Sequence, residues 1–309
     1  MMVEYLKVNN GKIESADESN GNIIRMVSPD SSEIEKISLL TGAPADFLSA
    51  ACDRDERPRF EADGNIYLFI IRVPYEEAGS DLPVITVAFA VIITPVFLIS
   101  VCSIKSPVWE ALQKIRAPLP QIEKRILFLC NLLLGVARLY LTHLQLIRTE
   151  ADTAEKEIHH SMKNEMLIRM LNLEKCLVFF TTSLRGHEAL WGRIRRLQSG
   201  ELSEDETDLL EDVQIEFKQA QDLAEIYSNI LSGMMDAFAS VISNNLNVVM
   251  KLLTGITIIL MLPTLIASIY GMNITLPFQN SPKAFLITMS LSVFLSFMSV
   301  LLFLKKKFF

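Results

Sequence analysis

The chain has 309 residues, half of them hydrophobic, and its 29 Lys and Arg against 36 Asp and Glu give a formal net charge of −7. All 36 acidic residues precede Leu252, where 25 basic residues oppose them, so residues 1–251 carry −11. That balance disfavours nucleic acid or an anionic lipid surface as a partner. Cys52, Cys102, Cys130 and Cys176 form no Cys-x-x-Cys pair and read as small buried hydrophobes in a reducing compartment. His159 and His160 are adjacent, hence about 100° apart on a helix, and His143 and His187 are isolated in sequence, so no zinc-type site is visible. Phosphate-cradling Gly-x-x-x-x-Gly-Lys, His-Glu-x-x-His and nucleophile motifs are all lacking, which argues against an enzyme.

The N-terminal stretch Met1–Lys7 has no apolar signal region, so the expectation is that the first 250 residues or so fold in the cytoplasm. Residues 1–117 mix strands with short helices. Asn22 to Val27 reads as a strand, Ser28-Pro29-Asp30-Ser31 as a helix start, and Asn65 to Val73 as a second strand bounded by Asp63-Gly64 and Pro74. The uncharged stretch from Leu82 through Ile104 is long enough for a membrane span. Its Val, Ile, Thr and Phe content and the break at Thr94-Pro95 predict instead two buried strands of about nine and seven residues within Val84 to Cys102.

From Pro120 the pattern becomes helical. Ile122 to Arg148 and Ala151 to Leu197 are the predicted helices of a region spanning 118–202, with Gly186 and Gly200 as candidate interruptions. Ser203-Glu204-Asp205-Glu206 has the pattern of a capping box, and no proline follows until Pro263. One helix from about 204 to 271 would be roughly 100 Å long, so it must be bundled with others. Its first part, 203–250, reads as a stalk. Phe217, Ala220, Ala224, Tyr227, Leu231, Met234, Phe238 and Val241 form an apolar heptad seam.

Two charge-free runs end the chain: Leu252 to Tyr270, 19 residues, and Ala284 to Leu304, 21 residues, each near the roughly 20 needed to cross a bilayer. They define a first span (251–271), an outer loop (272–283), a second span (284–304) and a basic tail (305–309). Lys251 before the first span and Lys305, Lys306 and Lys307 after the second, against Lys283 alone in the loop, put both termini in the cytoplasm of a multi-pass protein of the cell membrane. About 200° from the heptad seam runs a more polar stripe that includes Gly233, Asp236, Ser240, Asn247, Met250, Thr254, Thr257, Met261, Thr264 and Ser268. In hydrocarbon a sustained polar register implies a surface that lines water or packs on a copy of itself. Two spans cannot enclose a pore, so a channel of this kind needs several copies around an axis.

The run Tyr270-Gly271-Met272-Asn273, placed where the first span ends, resembles the signature of the CorA family of divalent-cation channels. Asn247-Val248-Val249-Met250-Lys251-Leu252-Leu253-Thr254 resembles that family's approach to its first span, and Ser232-Gly233-Met234-Met235-Asp236 its stalk. Leu173 to Phe180 is similar to a helix of Gram-positive members. The resemblance implies an α+β cytoplasmic funnel domain, a long stalk helix, two C-terminal transmembrane helices and a homopentamer conducting Mg²⁺. It further implies a selectivity filter at Gly271, Met272 and Asn273, pore-facing Met261 and Thr264, a stalk carboxylate at Asp236, a basic collar at Lys305–Lys307, and a regulatory Mg²⁺ held partly by Asp212. Hydrophobic constrictions at Met250, Leu253 and Met261 are the expected gate. Amide and carbonyl oxygens suit an ion that sheds its waters reluctantly. The sequence departs from the family in two places: the loop Ile274 to Pro282 has no acidic residue, and Pro263 directly precedes Thr264 instead of lying two residues before it. The alternatives are a Zn²⁺ or Co²⁺ transporter of the same fold, and a membrane-anchored coiled-coil sensor or scaffold.

Overall fold

The computed structural model describes residues 2–9, 12–113, 124–160, 164–197, 203–274, 276–277 and 281–306. Its contacts divide into two units, Met1–Met234 and Met235–Phe309. Gly200, Lys307 and the expected helix start at Ile122 lie outside the described residues.

The first unit holds a seven-stranded sheet in the order β2-β1-β3-β7-β6-β5-β4. The strands are β1 (Met2–Asn9), β2 (Lys12–Ser15), β3 (Ile23–Val27), β4 (Arg59–Asp63), β5 (Ile66–Tyr75), β6 (Ile85–Ile93) and β7 (Leu98–Cys102). Only β3 and β7 run parallel, with Ile24 beside Ile99 and Arg25 beside Ser100; the other neighbours are antiparallel. Helices α1 (Ser31–Thr41) and α2 (Ala45–Ser49) cover one face over a core of Ile24, Met26, Leu68, Ile70, Ile92 and Ile99. Asp30 starts α1 with a reciprocal capping box, accepting from the Glu33 amide at 2.8 Å while Glu33 accepts from the Asp30 amide at 3.0 Å.

Helices α3 (Val108–Gln113), α4 (Arg125–His160) and α5 (Asn164–Leu197) follow, and α4 and α5 pack on β5. Because β6 and β7 are thus sandwiched, both of their faces are apolar, and this is why the uncharged stretch 82–104 resembles a membrane span without being one. The second strand of this pair is five residues, shorter than the seven expected. Strands β1, β2 and β4 escape sequence reading because their residues are half-exposed and charged, as in Lys12–Ser15 and Arg59–Asp63. Helix α4 also overturns the expected break before Ala151: it runs through to His160, and Ala151 and Ala154 are buried on it. Gly186 does not interrupt α5. A Cβ there would lie 2.7 Å from Pro58 Cγ, so glycine marks the place where α5 and the segment before β4 touch. Three cysteines are buried as expected, but Cys52 is exposed at the end of a 3-10 turn, Ala50–Cys52. Burial pushes the Cys130 thiol up to about 12 and Cys102 to about 11.

Helix α6 (Glu204–Tyr270) is continuous through 67 residues despite Pro263. Ser203 opens it with the expected capping box, its amide donating to Glu206 Oε2 at 3.0 Å and its hydroxyl accepting from the Glu206 amide at 3.4 Å. In the first unit Ala220, Ala224 and Leu231 of the heptad seam are buried, while Gln219, Asp222, Ile226, Asn229 and Gly233 lie at least partly open to solvent. The burial follows from packing on α5, where Phe217 meets the His187 ring edge-on at 5.1 Å and Glu225 pairs with Arg185 at 2.9 Å.

In the second unit α6 continues to Tyr270 and α7 (Ala284–Lys305) follows. Among the described residues three helices are long and apolar enough to cross a membrane: α6, α7 and the Arg125–Lys156 part of α4. Burial separates them. The apolar window of α4 is 67% buried within the fold, against 11% for α6 and 6% for α7. The α4 surface is therefore covered by protein, whereas the other two present theirs outward, as lipid-facing helices do.

Candidate functional site

Helix α6 stops at Tyr270, and the next three residues leave it in a turn. The Gly271 amide still donates to the Ala267 carbonyl at 2.9 Å, and the Met272 amide to Ile269 at 3.2 Å. A Cβ on Gly271 would stand 3.2 Å from the Ala267 oxygen, tighter than side chains ordinarily tolerate, so glycine lets the chain tighten as it leaves the helix. Met272 and Asn273 are exposed just beyond. The Tyr270 hydroxyl donates to the Pro277 carbonyl at 3.4 Å, tying the loop back to the helix end. The Asn273 amide is thus presented at the end of an apolar helix on a short, tethered turn.

Below it, Asn247, Met250, Leu253, Thr254, Thr257, Met261, Thr264 and Ser268 are all exposed on α6. The three threonines are quiet toward their surroundings, because each hydroxyl donates to its own helix: Thr254 to Met250 and Thr257 to Leu253 at 2.8 Å, Thr264 to Leu260 at 3.0 Å. A hydroxyl bonded in this way still offers a lone pair outward. Asp236 is exposed in the second unit, and Lys305 and Lys306 are exposed at the end of α7.

Asp212 is exposed on α6 in the first unit, and the preceding Leu210 and Glu211 line a cavity of about 590 Å³ with Gln214 and Lys218 of α6 and Trp191 and Arg195 of α5. Among the described residues no group of three or more His, Cys, Asp or Glu could hold a metal ion. One carboxylate and water do not make a strong cation site, so among the described residues of one chain Asp212 is not part of a ligand group of the size such a site requires. His143 and His187 serve structure. His187 is buried against Tyr140 and Phe217, and His143 lies 3.6 Å from Glu76.

Two C-terminal apolar helices after an α/β part, with one span prolonged backward as a long helix, define a two-span membrane protein. The chain belongs to the CorA family: residues 19–306 match the family described as CorA-like Mg2+ transporter protein. The cobalt/magnesium transport protein CorA of Methanocaldococcus jannaschii is 28% identical over 280 residues, covering 89% of this chain and 87% of that protein. The Thermotoga maritima protein of the same name is 31% identical over 134 residues, 43% of this chain and 38% of its own length. The complete structure of the M. jannaschii CorA magnesium transporter superposes with a TM-score of 0.82 at 25% identity, covering 98% of both chains. The fold expected from sequence, an α/β domain with a long helix and C-terminal transmembrane helices, is the fold observed.

Proposed function

We propose that this chain assembles as a homopentamer around α6 and passes Mg²⁺ across the cell membrane, with Co²⁺ as a second cargo. The observation that carries the reading is the exposed Gly271-Met272-Asn273 turn at the end of the apolar part of α6. Five copies would ring the axis with Asn273 amides and the backbone carbonyls of the turn. Such acceptors hold a hydrated cation by its waters without the grip of carboxylates. The exposed face from Asn247 through Ser268 would line the path. Met250, Leu253 and Met261 would supply the constrictions that dewet when the bundle is narrow. Membership of the CorA family and the names of the two relatives support the choice of cargo.

In this reading residues 1–117 and 118–202 form the cytoplasmic domain, 203–250 the stalk, 251–271 and 284–304 the spans, and 272–283 the outer loop. Both termini face the cytoplasm, where Lys305–Lys307 form a collar and Asp236 faces the stalk axis. Asp212 would bind regulatory Mg²⁺ only with a carboxylate of a neighbouring copy, so that the ion closes the pore by favouring one packing of subunits. Metal-competition flux into proteoliposomes tests the whole: Mg²⁺ uptake, reduced by Co²⁺, is expected. Uptake of Zn²⁺ alone would reassign the cargo, and lack of any flux would leave a membrane-anchored scaffold.

A further inference from the structure

Pro263 sits within α6 and has no amide hydrogen, so the carbonyl four residues earlier, that of Ile259, loses its helical donor. In hydrocarbon an unmatched carbonyl is costly. The structure fills the vacancy from the other helix: the Ser296 hydroxyl of α7 donates to the Ile259 carbonyl at 3.3 Å. Two other hydroxyls of α7 stay on their own helix. Ser299 donates to Leu295 at 3.0 Å, and Thr288 donates to Ala284 and Phe285 at 3.0 Å. The bond lies in the covered seam of the hairpin, where Gly255 and Ile266 of α6 and Ser292 of α7 are the buried residues.

The geometry points to Ser296 as a positioning residue that straps α6 at its proline and so sets the bend of the span. Ile259 and Pro263 share one face of α6, because four residues make a little more than a turn. Met261 lies two residues from each, about 200° around, and is among the most exposed residues of the span at 66%. A helix bends away from its proline face, where the missing bond lets the turn open. Releasing the strap would therefore bend α6 concave on the Met261 side and tip the span's ends toward that face. With the strap in place, α7 fixes how far the turn opens.

The effect on flux rests on the channel reading above, so the test has an arm that does not. Full-length protein in nanodiscs is melted as wild type, Ser296→Ala, Pro263→Ala and the double variant. The Pro263→Ala change restores the amide, so Ile259 regains its own donor and Ser296 has nothing left to satisfy. Ser296→Ala is expected to lower the melting temperature by about 1–3 °C in the wild-type Pro263 background and to leave it unchanged in the Pro263→Ala background. Ser296→Thr, which keeps the hydroxyl, should melt like wild type. Equal effects of Ser296→Ala in both backgrounds, or none in either, would overturn the strap and leave Ser296 as a small residue in a helix seam. If Ser296→Ala does not assemble, the cycle is run with Ser296→Cys, a weaker donor, and the same comparison decides. In proteoliposomes Ser296→Ala should lower Mg²⁺ flux about two- to threefold, again only with Pro263 present. A wild-type protein that passes no Mg²⁺ would refute the channel reading while the melting cycle still reads the strap.

Discussion

His187 of α5 accepts the backbone amide of Arg72 at 2.9 Å. The bond falls where β5 has outrun its neighbour: β4 pairs with β5 only as far as Arg59 opposite Ile70, so Arg72 has a strand partner on one side alone. The Tyr140 hydroxyl of α4 completes the repair, donating to the Arg72 carbonyl at 2.8 Å. Two helices thus cap a strand edge with side chains. The Arg72 guanidinium in turn holds the Thr86 hydroxyl at 3.0 Å, the Thr86 carbonyl, and the Glu56 carbonyl at 3.2 Å.

This bond makes stability depend on pH. Burial first, and the Arg72 charge second, push His187 down to about 3, whereas an exposed histidine in the unfolded chain titrates near 6.5. The contribution of the neutral ring is complete above pH 6.5 and is lost progressively as pH falls from 6.5 toward 3. His187→Gln, which keeps an acceptor but cannot take the proton, should flatten that loss. His187→Phe should cost about 1–3 kcal/mol at neutral pH by stranding the Arg72 amide. Thermal melting of the full chain between pH 7 and 4 checks both, and parallel curves for wild type and His187→Gln would contradict the assignment.

Gly186→Ala should destabilise the first unit by about 1–3 kcal/mol, because the new Cβ would overlap the Pro58 ring where the sheet margin and α5 touch. Helix propensity alone would favour alanine at this position. A rise in melting temperature would therefore show that the contact yields easily.

Asn273→Ala is expected to abolish Mg²⁺ flux and leave the melting temperature and oligomer unchanged, since the side chain is exposed. Gly271→Ala should also impair flux, through strain against the Ala267 carbonyl. Wild-type flux in the Asn273 variant would remove the amide ring from the mechanism.

Met261→Gly should raise the Mg²⁺ leak under conditions that close the wild-type protein, because it removes an exposed apolar side chain from the proposed constriction. Unchanged closed-state leak in an intact oligomer would place the gate elsewhere.

Asp212→Lys should weaken Mg²⁺ protection of residues 1–250 against proteolysis and relieve the proposed inhibition by Mg²⁺, if a neighbouring carboxylate completes the site. Midpoints that stay where they are in both assays would show that Asp212 is only a solvated residue of α6.

Local and periodic features were legible in the chain alone. Charge-free length marked α6 and α7, the Ser203 box marked where α6 begins, and Thr94-Pro95 separated β6 from β7. Each is a short-range property, set by backbone sterics, by capping, or by solvation of a single segment. Strands β1, β2 and β4 were not legible, because β2 and β4 are the sheet's edges and β1 beside β2 is likewise half-exposed, so none has a clean alternation; their partners define them. Gly186 read as a break because glycine is a poor helix former, and only the approach of Pro58 from more than a hundred residues away shows its use. His187 read as isolated until the fold brought it to an amide that β4 leaves unpaired. The Gly271-Met272-Asn273 turn was visible because neighbouring residues carry it. The bond from Ser296 to the carbonyl freed by Pro263 was invisible, because a missing hydrogen bond has no partner in sequence and a second helix must supply one in space.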